Sequence, residues 1–325
     1  MRRRSLLIGA AAAPLVGVRA QVASSWRAAE PLPLNTQEIY PAVHESRLYV
    51  AGGIAARAGV PYFTDRCVSF DGAAWREEAS LPESLHHAAL VSDGDSLLLV
   101  GGFNGGYTHV WRMRAEVYRL TADGWLPAGA LPAPQAEGVL SRSPAGEIHL
   151  VTGQQQRGEA NRERSDHVEV HTHLIRDRAD GRWREAEPIP TARNSATGGW
   201  VGGLLVVTGG RTAAGNLSVT EIYDPQADVW YEGAPLPLPQ AGTASVVVDN
   251  SLIVFGGEIF VPEAGVFAEV WRYRLDEDRW EALPPLPTPR HGLGAGVLND
   301  EIYVVGGATE PGGRGTSSAN EALYL

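Results

Sequence analysis

Residues 223–257 read YDPQADVWYEGAPLPLPQAGTASVVVDNSLIVFGG. The stretch holds Trp230, five intervening residues, Leu236-Pro237, an apolar run and a closing Gly256-Gly257. Moving outward in both directions, the same phrase recurs at Trp26…Leu32-Pro33, Trp75…Leu81-Pro82, Trp125…Leu131-Pro132, Trp183…Ile189-Pro190 and Trp280…Leu286-Pro287. The apolar runs that follow end at Gly52-Gly53, Gly101-Gly102, Gly153, Gly209-Gly210 and Gly306-Gly307. From Trp to the first glycine is 26 residues in five units and 28 in the third. Self-similarity at roughly 50 residues marks an array of β-sheets set around an axis, and it outweighs the two domains that chain length alone would suggest.

Each unit divides into four strands. In the fifth, 241–248 reads as the first strand, 251–255 as the second, 268–275 as the third and 280–283 as the fourth. Asp249-Asn250 is a tight-hairpin signal between the first two, and Asp123-Gly124 does the same between the third and fourth strands of the second unit. The sixth unit supplies only three strands, 290–298, 301–305 and 320–325, while Trp26 opens a fourth strand with no three before it. Joining them removes two exposed sheet edges, so the expected fold is all-β: a six-bladed propeller of four-stranded blades, the last closed by the N-terminal strand.

Composition narrows the chemistry. The chain has no lysine, so all 27 basic residues are arginine, which excludes Schiff-base chemistry and a lysine base. Its single cysteine, Cys67, cannot form an internal disulfide. Residues 1–20 read as a signal peptide: Arg2-Arg3-Arg4, an apolar stretch from Leu6 to Val18, and small residues at a cleavage position. Arg3-Arg4-Ser5-Leu6-Leu7 resembles a twin-arginine export signal, implying a periplasmic or secreted protein. The apolar stretch is too short for a membrane anchor. Cleavage removes four arginines and no acid, moving the formal charge from −11 to −15, which argues against nucleic-acid binding.

The repeat resembles the Kelch family. Its diglycine, a tyrosine in the third strand and a tryptophan seven residues later stand here as Gly101-Gly102…Tyr118…Trp125, Gly209-Gly210…Tyr223…Trp230 and Gly256-Gly257…Tyr273…Trp280. The likeness covers residues 24–325. The first unit departs from it with Phe70 for Tyr, and the third with Gly153-Gln154 for the diglycine and His173 near the Tyr place.

Variation collects between glycine and the next Trp, at 23, 24, 30, 21 and 24 residues in the first five units. Insertions gathered on one face mark a binding face. On that face each chain enters its inner strand. There the first position presents Thr36, Leu85, Gln135, Arg193, Gln240 and Arg290, and the second Gln37, His86, Ala136, Asn194, Ala241 and His291. The third presents Glu38, His87, Glu137, Ser195, Gly242 and Gly292. These predict a polar ring at the mouth, with Arg193 and Arg290 implied by the resemblance as contacts to an acidic group. The alternative is that the arginines plug the channel. Arg211 joins the ring from a post-glycine loop.

Glu258, directly after Gly256-Gly257, invites comparison with secreted six-bladed Kelch sialic-acid mutarotases, in which such an acid pairs with an arginine six residues on. Here that position is Ala264. His167, Glu169, His171 and His173 share one face of a predicted strand, and His171 and His173 are the best-placed metal ligands, although their counterparts Trp271 and Tyr273 point to packing. The charged run from Arg157 to Asp166 reads as a solvated excursion. Kelch copper-radical oxidases need a partner set that Cys67 lacks, and neither a dinucleotide fingerprint nor a nucleophile elbow occurs. The expectation is an exported monomer without a cofactor, binding a small anionic or carbohydrate ligand or a protein loop at the mouth. The rival is a sugar mutarotase or epimerase using Glu258.

Overall fold

The computed structural model describes residues 25–104 and 110–325. The signal-peptide reading falls outside them. Six antiparallel four-stranded sheets follow one another along the chain. Their first strands are Ala42–His44, Ala89–Ser92, Val139–Arg142, Thr197–Val201, Ala244–Val248 and Gly294–Leu298. Each packs against the next, and the sixth packs against the first. The sixth sheet takes its outer strand, Ser25–Ala28, from the start of the chain, in register with Asn320–Tyr324 from Ser25 opposite Tyr324 to Ala28 opposite Glu321.

The expected hairpins form. Asp249 and Asn250 both have positive φ, 47° and 55°, as a type I′ turn demands. The inner strand of the fifth unit begins at Ala244, three residues later than the sequence suggests, because Gly242 turns into the left-handed region at φ 66°. The third strand of the third unit is also broken. His167–Glu169 pairs with Gln154–Gln156 in an accessory sheet, and only His173–Arg176 enters the main sheet.

The repeated residues tie neighbouring units together. Indole N–H groups donate to carbonyls one unit away: Trp75 to Glu30 at 2.9 Å, Trp125 to Ala79 at 3.0 Å, Trp230 to Glu187 at 2.8 Å and Trp280 to Ala234 at 2.8 Å. Trp26 donates to Pro284 at 2.9 Å, linking the first strand to the fifth unit. Leu32, Leu81, Leu131, Ile189, Leu236 and Leu286 of the Leu/Ile-Pro phrase are all buried between sheets, each such burial stabilising by about 1.5–3 kcal/mol.

The first glycine of each pair lies where the next unit crosses. A Cβ on Gly101 would stand 2.3 Å from the Gln135 carbonyl oxygen. In the third unit Thr152 takes this place at φ 54°, and Gly153 is the second member of the pair. The expected pair Gly153-Gln154 is therefore shifted by one residue. Thr152 repays its strained backbone by donating its hydroxyl to the Arg193 carbonyl at 2.6 Å.

Candidate ligand basin

Where each chain turns into its inner strand, Glu38, His87, Glu137, Ser195, Gly242 and Gly292 all have left-handed backbones, with φ between 53° and 66°. Their peptides join head to tail. Glu38 N–H donates to Gly292 O at 2.7 Å, His87 to Glu38 at 3.1 Å, Ser195 to Glu137 at 3.1 Å, Gly242 to Ser195 at 3.0 Å and Gly292 to Gly242 at 2.9 Å. Four non-glycine residues in this region cost about 1–2 kcal/mol each, and these bonds hold them. Glycine at 292 is needed because a Cβ there would meet the Glu38 carboxylate at 2.9 Å.

The side chains above this ring alternate in charge. His87 Nε2 lies 3.3 Å from Glu137 and 3.0 Å from Glu38. His291 Nδ1 lies 3.5 Å from Glu38 and 3.4 Å from Glu258, and Glu258 accepts from Arg211 at 2.6 Å. Donor and acceptor logic sets the protons. His86 Nε2 faces the Val110 carbonyl at 2.6 Å and so carries its hydrogen, leaving Nδ1 to accept from His87 Nδ1 at 2.7 Å. His87 therefore donates from both nitrogens. His291 Nε2 donates to the carbonyl oxygens of Glu310 at 3.0 Å and Gly312 at 3.1 Å, while its buried Nδ1 makes no hydrogen bond among the described residues.

The carboxyl and imidazole groups respond accordingly. Burial, which by itself would raise the Glu38 carboxyl, is outweighed by His87, His291 and Arg211, and it falls well below its ordinary range. Burial opposes ionisation of Glu137 too, yet Arg164, His87 and Arg211 hold it low. His86 is pushed down to about 3 by burial and by the positive charge of His87. Arg211 is raised despite burial by Glu258, Glu137 and Glu38.

Over this floor opens a cavity of about 860 Å³. Glu38, His87, Asn194, Arg211 and Glu258, all singled out by sequence, line it. Glu137 and His291 brace it from below, and His86 is buried behind His87. Arg193 and Arg290 do not face it. Both are fully buried: Arg193 is held by Glu221, by the Thr191 carbonyl at 2.7 Å and by Val207, and Arg290 by Glu321 at 2.6 Å, Thr288 at 3.0 Å and Val304 at 3.0 Å. Gln135 and Gln240 are turned inward in the same way, donating to the carbonyls of Thr152 and Gly256, both at 2.6 Å. The first position faces the sheets because the following residues twist into the left-handed ring.

The upper wall was missed. Arg164, placed by sequence in a solvated excursion, lines the basin together with Trp111, His167, Glu169 and Phe260, beside Arg157, which the sequence also set on the loop after Gly153. The Arg164 guanidinium lies over the Trp111 ring, 4.8 Å from its centroid, and that of Arg211 lies 5.4 Å from the Phe260 centroid. The long glycine-to-Trp segment of the third unit was the available sign of this wall.

His171 and His173 do not converge on a metal. His171 Nδ1 meets the Ile189 carbonyl at 2.8 Å, whereas His173 bonds His149 at 2.9 Å and packs edge-on to Tyr223 at 4.4 Å. The break at 170–172 separates them. Cys67 is buried, and burial pushes its thiol up to about 12.

Comparison with known proteins follows the same line. The family described as the KLHDC2/KLHL20/DRC7 Kelch-repeats domain matches residues 150–307. Kelch-like protein terF of Aspergillus terreus is 25% identical over 258 residues, covering 73% of this chain and 53% of terF. Human Kelch-like protein 34 is 29% identical over 57% of the chain and 27% of its own length, and mouse Kelch-like protein 35 is 28% identical over 65% and 33%. The chain thus spans about half or less of these curated relatives. The solved structure of YjhT superposes with a TM-score of 0.76 at 16% identity, covering 91% of this chain and 97% of YjhT, a likeness of fold. The family match over residues 150–307, the Kelch-like relatives and the likeness of fold all support the Kelch resemblance of the repeat.

Proposed function

We propose that the six sheets close into a six-bladed propeller and that the basin at its mouth binds a small carbohydrate bearing a carboxylate. The contact between first and last inner strands and the near-continuous peptide ring support the closure. The wall carries the ligand reading. Arg164, stacked on Trp111, makes no side-chain hydrogen bond among the described residues and keeps 42% of its side chain exposed, its nearest carboxylate oxygen standing 3.6 Å away on buried Glu137. A guanidinium with free N–H donors beside an apolar ring face is the pairing that a sugar acid satisfies, the carboxylate on the fork and a sugar face on the indole.

Calorimetric titration with N-acetylneuraminate and glucuronate, beside neutral glucose, tests this. The acids should bind and glucose should bind at least about tenfold more weakly. Arg164→Ala should erase most of that difference and, because Arg164 also faces buried Glu137, lower the melting temperature modestly. Equal affinities for acids and glucose, or an Arg164→Ala protein that still discriminates, would sink the reading.

A mutarotase is the second reading, favoured by the position of Glu258 on the basin with Arg211 at 2.6 Å and His291 at 3.4 Å. Against it, both carboxylate oxygens are engaged, since Glu258 Oε2 also accepts from Gly312 N–H at 2.8 Å. Freshly dissolved single anomers of the same sugars decide the matter: equilibration at the buffer rate leaves binding alone, while acceleration abolished by Glu258→Gln establishes the enzyme.

A further inference from the structure

A second cavity, of about 260 Å³, lies between the second and third sheets at the strand ends remote from the basin. The turns at Asp93, Gly146 and 178–181 frame it, and Arg119, Arg176 and Arg178 line it. Arg176 is 7% exposed; its Nε has no partner, and its terminal nitrogen reaches the Ala128 carbonyl only at 3.5 Å. Arg119 Nε is also buried without a partner. Among the described residues neither guanidinium forms an ion pair, and the one that Arg178 makes, with Asp95 at 3.5 Å, is exposed.

Two aspartates share the lining, each with its Oδ1 committed to its own turn. Asp93 Oδ1 accepts from the N–H groups of Asp95 at 3.0 Å and Ser96 at 2.7 Å, and Asp180 Oδ1 accepts from Arg182 N–H at 2.9 Å. The turn glycines make room for charge instead: a Cβ on Gly181 would stand 2.6 Å from an Arg176 nitrogen. Burial holds the Arg176 guanidinium below its ordinary range, and Arg119 adds to this while Asp93 and Asp180 oppose it.

A buried guanidinium with open donors is costly unless an anion completes it. Three arginines converging on a cavity far larger than the roughly 30 Å³ share of one water give such an anion both donors and room. We propose that this cavity binds a tetrahedral oxyanion, phosphate or sulfate, either free or as the head of an ester, through Arg119, Arg176 and Arg178.

Inorganic phosphate is the probe. Thermal unfolding of the full chain should show a melting temperature that climbs with sodium phosphate above that in sodium chloride of equal ionic strength, as mass action requires. The double variant Arg119→Gln/Arg178→Gln, which leaves the buried arginine in place, should weaken phosphate binding by at least about tenfold in calorimetry. Arg176→Met should lose the phosphate effect yet melt no lower than the unaltered protein in phosphate-free buffer, because an unpaired charge has left the interior. Identical curves in phosphate and chloride would overturn the proposal. So would a phosphate effect that survives the double variant, or one that disappears in Arg164→Ala and so belongs to the basin. Glucose 6-phosphate and sulfate distinguish the sources: tighter binding of the ester assigns the cavity to a phosphorylated head group, and equal binding assigns it to the free ion.

Discussion

Arg193 and Arg290 show how one residue type in one repeat position can serve the frame instead of the ligand. In each case a threonine two residues earlier and a glutamate of the third strand complete the same knot: Thr191 hydroxyl to Glu221 at 2.8 Å, Thr288 hydroxyl to Glu321 at 2.7 Å. The sequence placed these arginines at the mouth because position in the repeat was legible, whereas the side to which a side chain turns depends on the left-handed residues after it. Glu38 and Glu137 are not types that announce positive φ, so that turn could not be read. Removing one partner of such a buried pair leaves the other charge stranded. Arg193→Ala should accordingly cost about 3–5 kcal/mol of stability in denaturant unfolding and leave sugar-acid affinity unchanged in whatever fraction folds. Unaltered stability with lost binding would return Arg193 to the mouth.

Among the elements, the strand Ser25–Ala28 has the greatest leverage for its length. Four residues complete a sheet whose other three strands come from the end of the chain, and Trp26 adds an edge-on contact to Phe255 at 6.2 Å between centroids. Deleting residues 24–32 would open the Asn320–Tyr324 edge and remove buried Leu32. The expected result is a markedly lower melting temperature and aggregation measurable by light scattering. An unchanged melting curve would contradict the closure proposed for the ring. The four-strand units and this borrowed edge were legible, because the units rest on a local pattern repeated along the chain and the edge is the strand that its last copy lacks. The third-unit excursion was not. Its charged composition is what solvated loops and ligand walls have in common, and only the fold brings Arg164 over the basin.

At the scale of the whole molecule, buried histidines set the response to acid. Burial and a neighbouring positive charge hold His86 at about 3, burial and His173 hold His149 at about 3, and burial holds His173 at about 4, all below the ordinary 6.5. Between those values the unfolded chain binds protons that the folded chain refuses, so stability rises with pH and is lost as pH falls from about 6.5 toward about 3–4. Melting temperatures across pH 7 to 4 should fall steadily, and His149→Phe should flatten the decline; a pH-independent melting temperature would show that these rings ionise in place. The pairing of Ser25 with Tyr324 has one more consequence. Paired strands lie about 5 Å apart, so Ser25 and Tyr324 are neighbours, and in the ring proposed above one hairpin is as good a point of departure as another. Joined by a few residues there and cut instead at Asp249-Asn250, the polypeptide would trace the proposed ring from a different origin, with the seam moved from the borrowed strand to an ordinary hairpin.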